Sequence, residues 1–118
     1  MVGDQLHPND NGCSISGGVS GSGNKFGVVA DGVMWWNTGA AVLDTAWHYV
    51  AVVLSDGKAD FYLDNAKTST ESFTPRPGSS FMLGGGRDYQ KASANVTRGC
   101  WWNRSLTDAE IHDDFQAG

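Results

Sequence analysis

Five tryptophans stand in a chain of 118 residues, and four of them form two adjacent pairs, Trp35-Trp36 and Trp101-Trp102. On an extended backbone neighbouring side chains point to opposite sides, so each pair would send one ring toward a core and the other outward. An outward indole calls for a cover. A sugar can supply one, stacking its C–H face on the ring while its hydroxyls bond nearby Asp, Asn and Arg. A second protein chain can do so too, because tryptophan is enriched where interfaces concentrate their binding energy. So can the chain's own C-terminal segment, through Ile111 and Phe115. The sequence leaves these three covers open. Tyr62, Arg87 and Tyr89 join the four indoles as candidate ligand-binding residues.

Other chemistries find less support. Trp47-His48 precedes an apolar run, but a catalytic histidine needs a nucleophile or carboxylate within hydrogen-bond reach. No G-x-S-x-G and no local His-Asp pairing supplies one. The expectation is therefore a strand start, with Trp47 packed at its end and His48 turned the other way. His7, His48 and His112 lack the i, i+4 or H-x-H spacing of a metal site. The "GGGR" of Gly84 to Arg87 is followed by neither a helical pattern nor G-K-[ST], so it reads as a strand exit and not as a phosphate loop. Two N-x-[ST] sequons, at Asn95 and Asn103, are close to what chance gives.

The bulk properties set the frame. The length fits one domain, and 40% apolar with 11% aromatic residues is a globular composition. A net charge of −5, with eight scattered Lys and Arg, disfavours nucleic acid and anionic membrane surfaces as partners. No apolar run reaches the length of a membrane span, and membrane insertion is not expected. The first twelve residues carry no signal-peptide pattern and read as an irregular lead-in. Cys13 and Cys100 are either bridged, closing a long loop for about 4 kcal/mol, or two separate thiols.

The elements that would hold these residues are short strands, since the 16 glycines cluster with Ser, Asn and Asp as turns. "CSISGGV" is a strand candidate. "KFGVVADGVMWWN" gives two runs around Asp31-Gly32, and Asp56-Gly57 joins another pair; both dipeptides suit type I′ hairpins. The run Trp47 to Leu54 is apolar on both faces and predicts a central strand. Residues 58–64 alternate and predict a strand with one wet face carrying Lys58, Asp60, Tyr62 and Asp64. "TESFTPRPGSS" and "RDYQKASA" read as loops. "FMLGGG" and "NVTRGCWWN" read as strands, the second being the last of the chain. Thr107 with Glu110 forms a capping box, Leu106 is placed to staple onto Ile111, and Ile111 and Phe115 form the apolar edge of a short terminal helix.

Two segments in this order carry a resemblance. "TAWHYVAVVLSDGKADFYLDNAK" resembles the middle of laminin-G-like, concanavalin A-like domains, with their W-h-x-V-A-V strand, D-G turn and strand ending in Y-v-D-G. "NVTRGCWWNRSLTDAEI" resembles their last strand and its N-R-A-L-S-x-x-E-I ending. The likeness runs over about residues 25 to 115. It departs at Thr97, Gly99 and Asn65, and no counterpart of the family's first strands precedes Cys13. The resemblance implies an all-β fold, an antiparallel jelly-roll β-sandwich of the concanavalin A-like type with a short C-terminal helix.

For function the resemblance implies a non-catalytic binding or adhesion module of bacterial or viral type, with a glycan as the candidate ligand. The alternative is a structural or homo-oligomerising domain, paired through an open sheet edge or the tryptophan face. A glycoside hydrolase is a third reading, but its two opposed carboxyl groups are hard to find. The chain has only Glu71 and Glu110, and Asp60 and Asp64 lie on an expected wet strand face. Rim loops of this fold often hold calcium, for which Asp31, Asp64, Asn65 and Asp88 are the candidates. No other cofactor is expected.

Overall fold

The structure is a computed structural model. It describes residues 46–73 and 95–118 with their side chains, and the backbone of four further strands. Those four are β1 (Val2–Gly3), β2 (Ser14–Gly17), β3 (Phe26–Ala30) and β4 (Val33–Trp36). They form an antiparallel sheet in the order β1-β2-β3-β4. The β3–β4 hairpin pairs Ala30 with Val33 across Asp31-Gly32, as the dipeptide predicts.

A second antiparallel sheet has the order β5-β6-β7, with β5 at Val50–Ser55, β6 at Lys58–Leu63 and β7 at Ala66–Ser72. Two tight turns build it. Asp56 and Gly57 both have positive φ, 47° and 72°, and so do Asp64 and Asn65, at 47° and 70°. Two successive left-handed residues match the right-handed twist of the flanking strands, which is why Asp, Asn and Gly occupy them.

β1 already corrects one expectation, since it places Val2 and Gly3 in a paired strand within the first twelve residues, which were expected to be an irregular lead-in. Three more are corrected here. Among the described residues β6, not β5, is the central strand, and β5 begins at Val50, so Trp47 and His48 stand before it. β7 continues through Ser72, into the stretch expected to be a loop. The alternation that would have revealed it is broken at Thr68. Phe61 pairs with Ser69 but Tyr62 with Lys67, leaving Thr68 as the extra residue of a β-bulge. Its hydroxyl donates to the Phe61 carbonyl at 3.1 Å. Because of the bulge, Lys67 and Thr70 share a face despite their odd spacing. The third correction concerns residues 95–103, which form no strand.

Helix α1 spans Asp108–Ala117 and has the predicted capping box. The Glu110 amide donates to Thr107 Oγ1 at 3.3 Å, and the Thr107 amide donates to Glu110 Oε2 at 2.9 Å. Ten residues make too short a helix to persist alone, so packing must hold it. Ile111 is buried with Val53 and Tyr62, and Tyr49, Ala51 and Leu106 pack around them. Burying one isoleucine contributes about 1.5–3 kcal/mol. The Phe115 ring meets Tyr49 edge-on, with centroids 5.6 Å apart. The other face of the same sheet buries Ala59 and Phe61. Both faces of β6 are therefore covered at its middle, and the expected wet face is exposed only at its two ends, Lys58 and Asp64.

Candidate binding surface

The segment from Arg98 to Arg104 carries Trp101 and Trp102, and it is fastened to α1 at both ends. Arg98 Nη2 donates to Asp114 Oδ1 at 2.6 Å. Arg104 grips Glu110 with both arms, Nη1 to Oε2 at 2.9 Å and Nη2 to Oε1 at 2.7 Å. Glu110 and Asp114 are four residues apart and so lie on one helix face. A third tether comes from Ser105, whose Oγ donates to the Leu54 carbonyl of β5 at 2.7 Å. These side-chain bonds fix the segment where a strand ladder was expected.

Between the two arginines the indoles face water. Trp101 is 62% exposed and Trp102 42%. Trp47, ahead of β5, is 65% exposed, so the expectation that it packs at the strand end is corrected. Cys100, next to Trp101, is a free thiol and not half of a bridge. Arg98 Nε donates to its sulfur at 3.0 Å.

The carboxylates around this surface are engaged. Asp114 Oδ2 accepts from the Tyr49 hydroxyl at 2.9 Å. Burial first, and then this bond to a carboxylate, hold the Tyr49 phenol well above its ordinary range. The Tyr62 hydroxyl donates to Asp108 Oδ1 at 2.5 Å, and burial followed by that bond raises its pKa as well. Lys67 Nζ lies 3.1 Å from both Asp60 Oδ2 and Asp108 Oδ1, and 5.3 Å from the centre of the Tyr62 ring. Thr70 donates to the other Asp60 oxygen at 2.5 Å. Hydrogen bonds from Tyr62 and then Lys67 depress Asp108. Arg104, and then the Thr107 amide, pull Glu110 down to about 2.

Asp64 closes the β5–β6 pair. Its Oδ2 lies 2.7 Å from His48 Nδ1, and its Oδ1 accepts from the Tyr49 amide at 3.0 Å. Its own amide donates to the Tyr49 carbonyl at 3.0 Å. The sequence offered no local His-Asp pairing; the hairpin makes one across sixteen residues.

The expected site residues thus separate. Trp101 and Trp102 share one exposed segment. Tyr62 does not join them, because it is buried beneath α1. Trp35 and Trp36 lie in β4 opposite Val28 and Gly27, and their side chains lie outside the described residues. Arg87, Tyr89, Asp31 and Asp88 also lie outside the described residues, as does Cys13. Among the calcium candidates, Asp64 has both carboxylate oxygens bonded within the chain and Asn65 forms the adjoining turn. No group of three metal-ligating side chains occurs among the described residues. The residues that sequence reasoning missed are Trp47 as an exposed ring, and Arg98 with Asp114. Only the ending from Asn103 through Ile111, where Arg104 and Glu110 stand, carried a signal.

An antiparallel β-sheet that seats a capped C-terminal helix and holds an aromatic segment is compatible with a β-protein of the lectin and glucanase type. The chain belongs to the concanavalin A-like lectin/glucanases superfamily, whose laminin-G-type model matches residues 3–112. A search of curated proteins finds no match. Among solved structures the chain is similar in fold to an S-layer domain-containing protein from Clostridium thermocellum, with a TM-score of 0.58 and 16% identity. The alignment covers 94% of this chain and 66% of that one, just under two thirds of its length.

Proposed function

We propose that the chain is a non-catalytic binding module, built on a two-layer jelly roll, that takes carbohydrate on its exposed tryptophans. Family membership supports the jelly roll, and so does the burial of both faces of β6. The observation that carries the binding reading is the exposure of Trp101 on a segment tied down at both ends. A fixed flat ring costs little ordering entropy when a sugar stacks on it.

Among the described residues, the state of the acids bonded around α1 and β6 supports a non-catalytic role. A glycosidase needs one carboxyl group held protonated near neutral pH and a second facing it across the bond. Here Asp108 and Glu110 are shifted the opposite way, and Asp60, Asp64 and Asp114 are bonded within the chain.

The test is binding of the purified chain to a glycan array, repeated with Trp101→Ala and Trp47→Ala. Specific binding that falls at least about tenfold, or ~1.4 kcal/mol, in Trp101→Ala supports the reading. Absence of binding to any glycan, with a dimer in light scattering, would assign the aromatic surface to a second chain instead.

A further inference from the structure

Resting on that reading, we infer that Glu110 and Asp114 are specificity-determining residues: they occupy the two arginines flanking Trp101-Trp102, so that the segment selects uncharged polysaccharide and rejects anionic polymers.

The argument starts from what arginine does when it is open. A guanidinium beside an aromatic platform is a receptor for carboxylate and sulfate, because its planar fork matches their oxygens. Arg98 stands three residues before Trp101 and Arg104 two after Trp102. Left open, that pair would make the segment a receptor for acidic sugars. Neither is open. Arg104 uses both terminal nitrogens on Glu110, and Arg98 spends Nη2 on Asp114 and Nε on Cys100. Asp114 is itself held by Tyr49, which fixes the carboxylate that Arg98 meets. Lys67, the third cation near α1, lies between Asp60 and Asp108.

The field around the segment points the same way. The chain carries −5 overall, and α1 adds Asp113 beside its three paired acids, Asp108, Glu110 and Asp114. A polyanion approaching Trp101 would meet repulsion and, among the described residues, no guanidinium without a carboxylate partner. An uncharged polysaccharide is indifferent to that field and gains from the rings. The same two ion pairs that shape the segment thus also neutralise it.

The experiment compares the full chain with Glu110→Gln/Asp114→Asn, which opens both arginines and changes the net charge from −5 to −3 by removing two negative charges. Glutamine keeps a capping-box side chain at 110. The control, Asp56→Asn/Glu71→Gln, makes the same charge change outside α1 and the tryptophan segment. The probes are laminarin, an uncharged glucan, and heparin, a sulfated one. The wild type is expected to bind laminarin through Trp101 and not heparin. The double variant is expected to gain heparin binding by about tenfold or more, reversed by salt, while the control gains none. Asp114→Glu should restore rejection at Arg98.

Heparin binding by the wild type, an equal gain in the control, or no gain in the double variant would each overturn the inference while leaving carbohydrate binding intact. Failure of the wild type to bind any sugar would remove the proposed function and the inference with it. If the double variant folds poorly, Glu110→Gln alone reads the same effect at Arg104.

Discussion

Arg98 and Tyr49 meet on one carboxylate: Asp114 takes the guanidinium on Oδ1 at 2.6 Å and the phenol on Oδ2 at 2.9 Å. Tyr49 precedes β5, Arg98 lies in the tryptophan segment and Asp114 lies on α1, so three parts of the chain are joined at a single side chain. Tyr49→Phe removes the donor ahead of β5 and leaves half of the carboxylate unsatisfied. It is expected to cost about 1 kcal/mol in urea unfolding. It should also lower affinity for any ligand stacked on Trp101, because the segment loses part of its anchor.

Ile111 is the only residue of α1 that is fully buried, in contact with Val53 and Tyr62. Ile111→Ala is expected to cost about 2–5 kcal/mol, since the rigid sheet beneath cannot collapse into the space. Thr107→Ala should cost about 1 kcal/mol through the cap, and Thr107→Ser much less. Chemical denaturation of the three variants gives the ranking.

Acid should undo the helix contacts in a defined window. Asp108 and Glu110 have folded pKa values below their ordinary 3.8 and 4.5, Glu110 at about 2. Depressed carboxyls contribute stability that is present above the unfolded pKa and lost as pH falls through the folded one. The unfolding midpoint should hold above pH 4.5 and drop between pH 4.5 and 2. Arg104→Met removes the largest cause of the Glu110 shift, so its profile should be flatter over that window in a urea titration at stepped pH.

Asp64 occupies a left-handed position and satisfies both His48 and the Tyr49 amide. Asp64→Ala meets the strain of positive φ and loses both bonds, for an expected cost of about 1–2 kcal/mol. Asparagine tolerates the turn and can still accept from the amide, so Asp64→Asn should lose roughly half as much. Equal losses for Asn and Ala would show that the His48 contact, not the turn, dominates.

Trp47 and Trp101 are more than half exposed, so their removal should leave folding almost untouched. Trp47→Ala and Trp101→Ala are each expected to change stability by no more than about 0.5 kcal/mol. Paired with the glycan measurements, this separates a ring that binds from a ring that holds the fold.

Features encoded within a few residues could be read from the chain alone. Asp56-Gly57 marks a hairpin because successive left-handed residues need those types, and Asp31-Gly32 falls between the paired strands β3 and β4. Thr107 and Glu110 mark the start of α1 because a capping box closes over three residues. The family was legible for the same reason, through two stretches of local pattern.

Tertiary structure decided what depends on distant partners. The bulge at Thr68 hid β7, since an inserted residue destroys the alternation by which a strand is recognised. Residues 95–103 looked like a strand by composition, yet their backbone is held by Arg98, Arg104 and Ser105 through side chains. Tyr62 went under the helix and Trp101 went to water, although both are aromatic residues flanked by apolar ones. Sequence fixes the local conformational preferences of a segment. Which face is covered, and which charge is neutralised, depends on contacts such as His48 with Asp64 and Arg98 with Asp114, each sixteen residues apart, which exist only once the chain has folded.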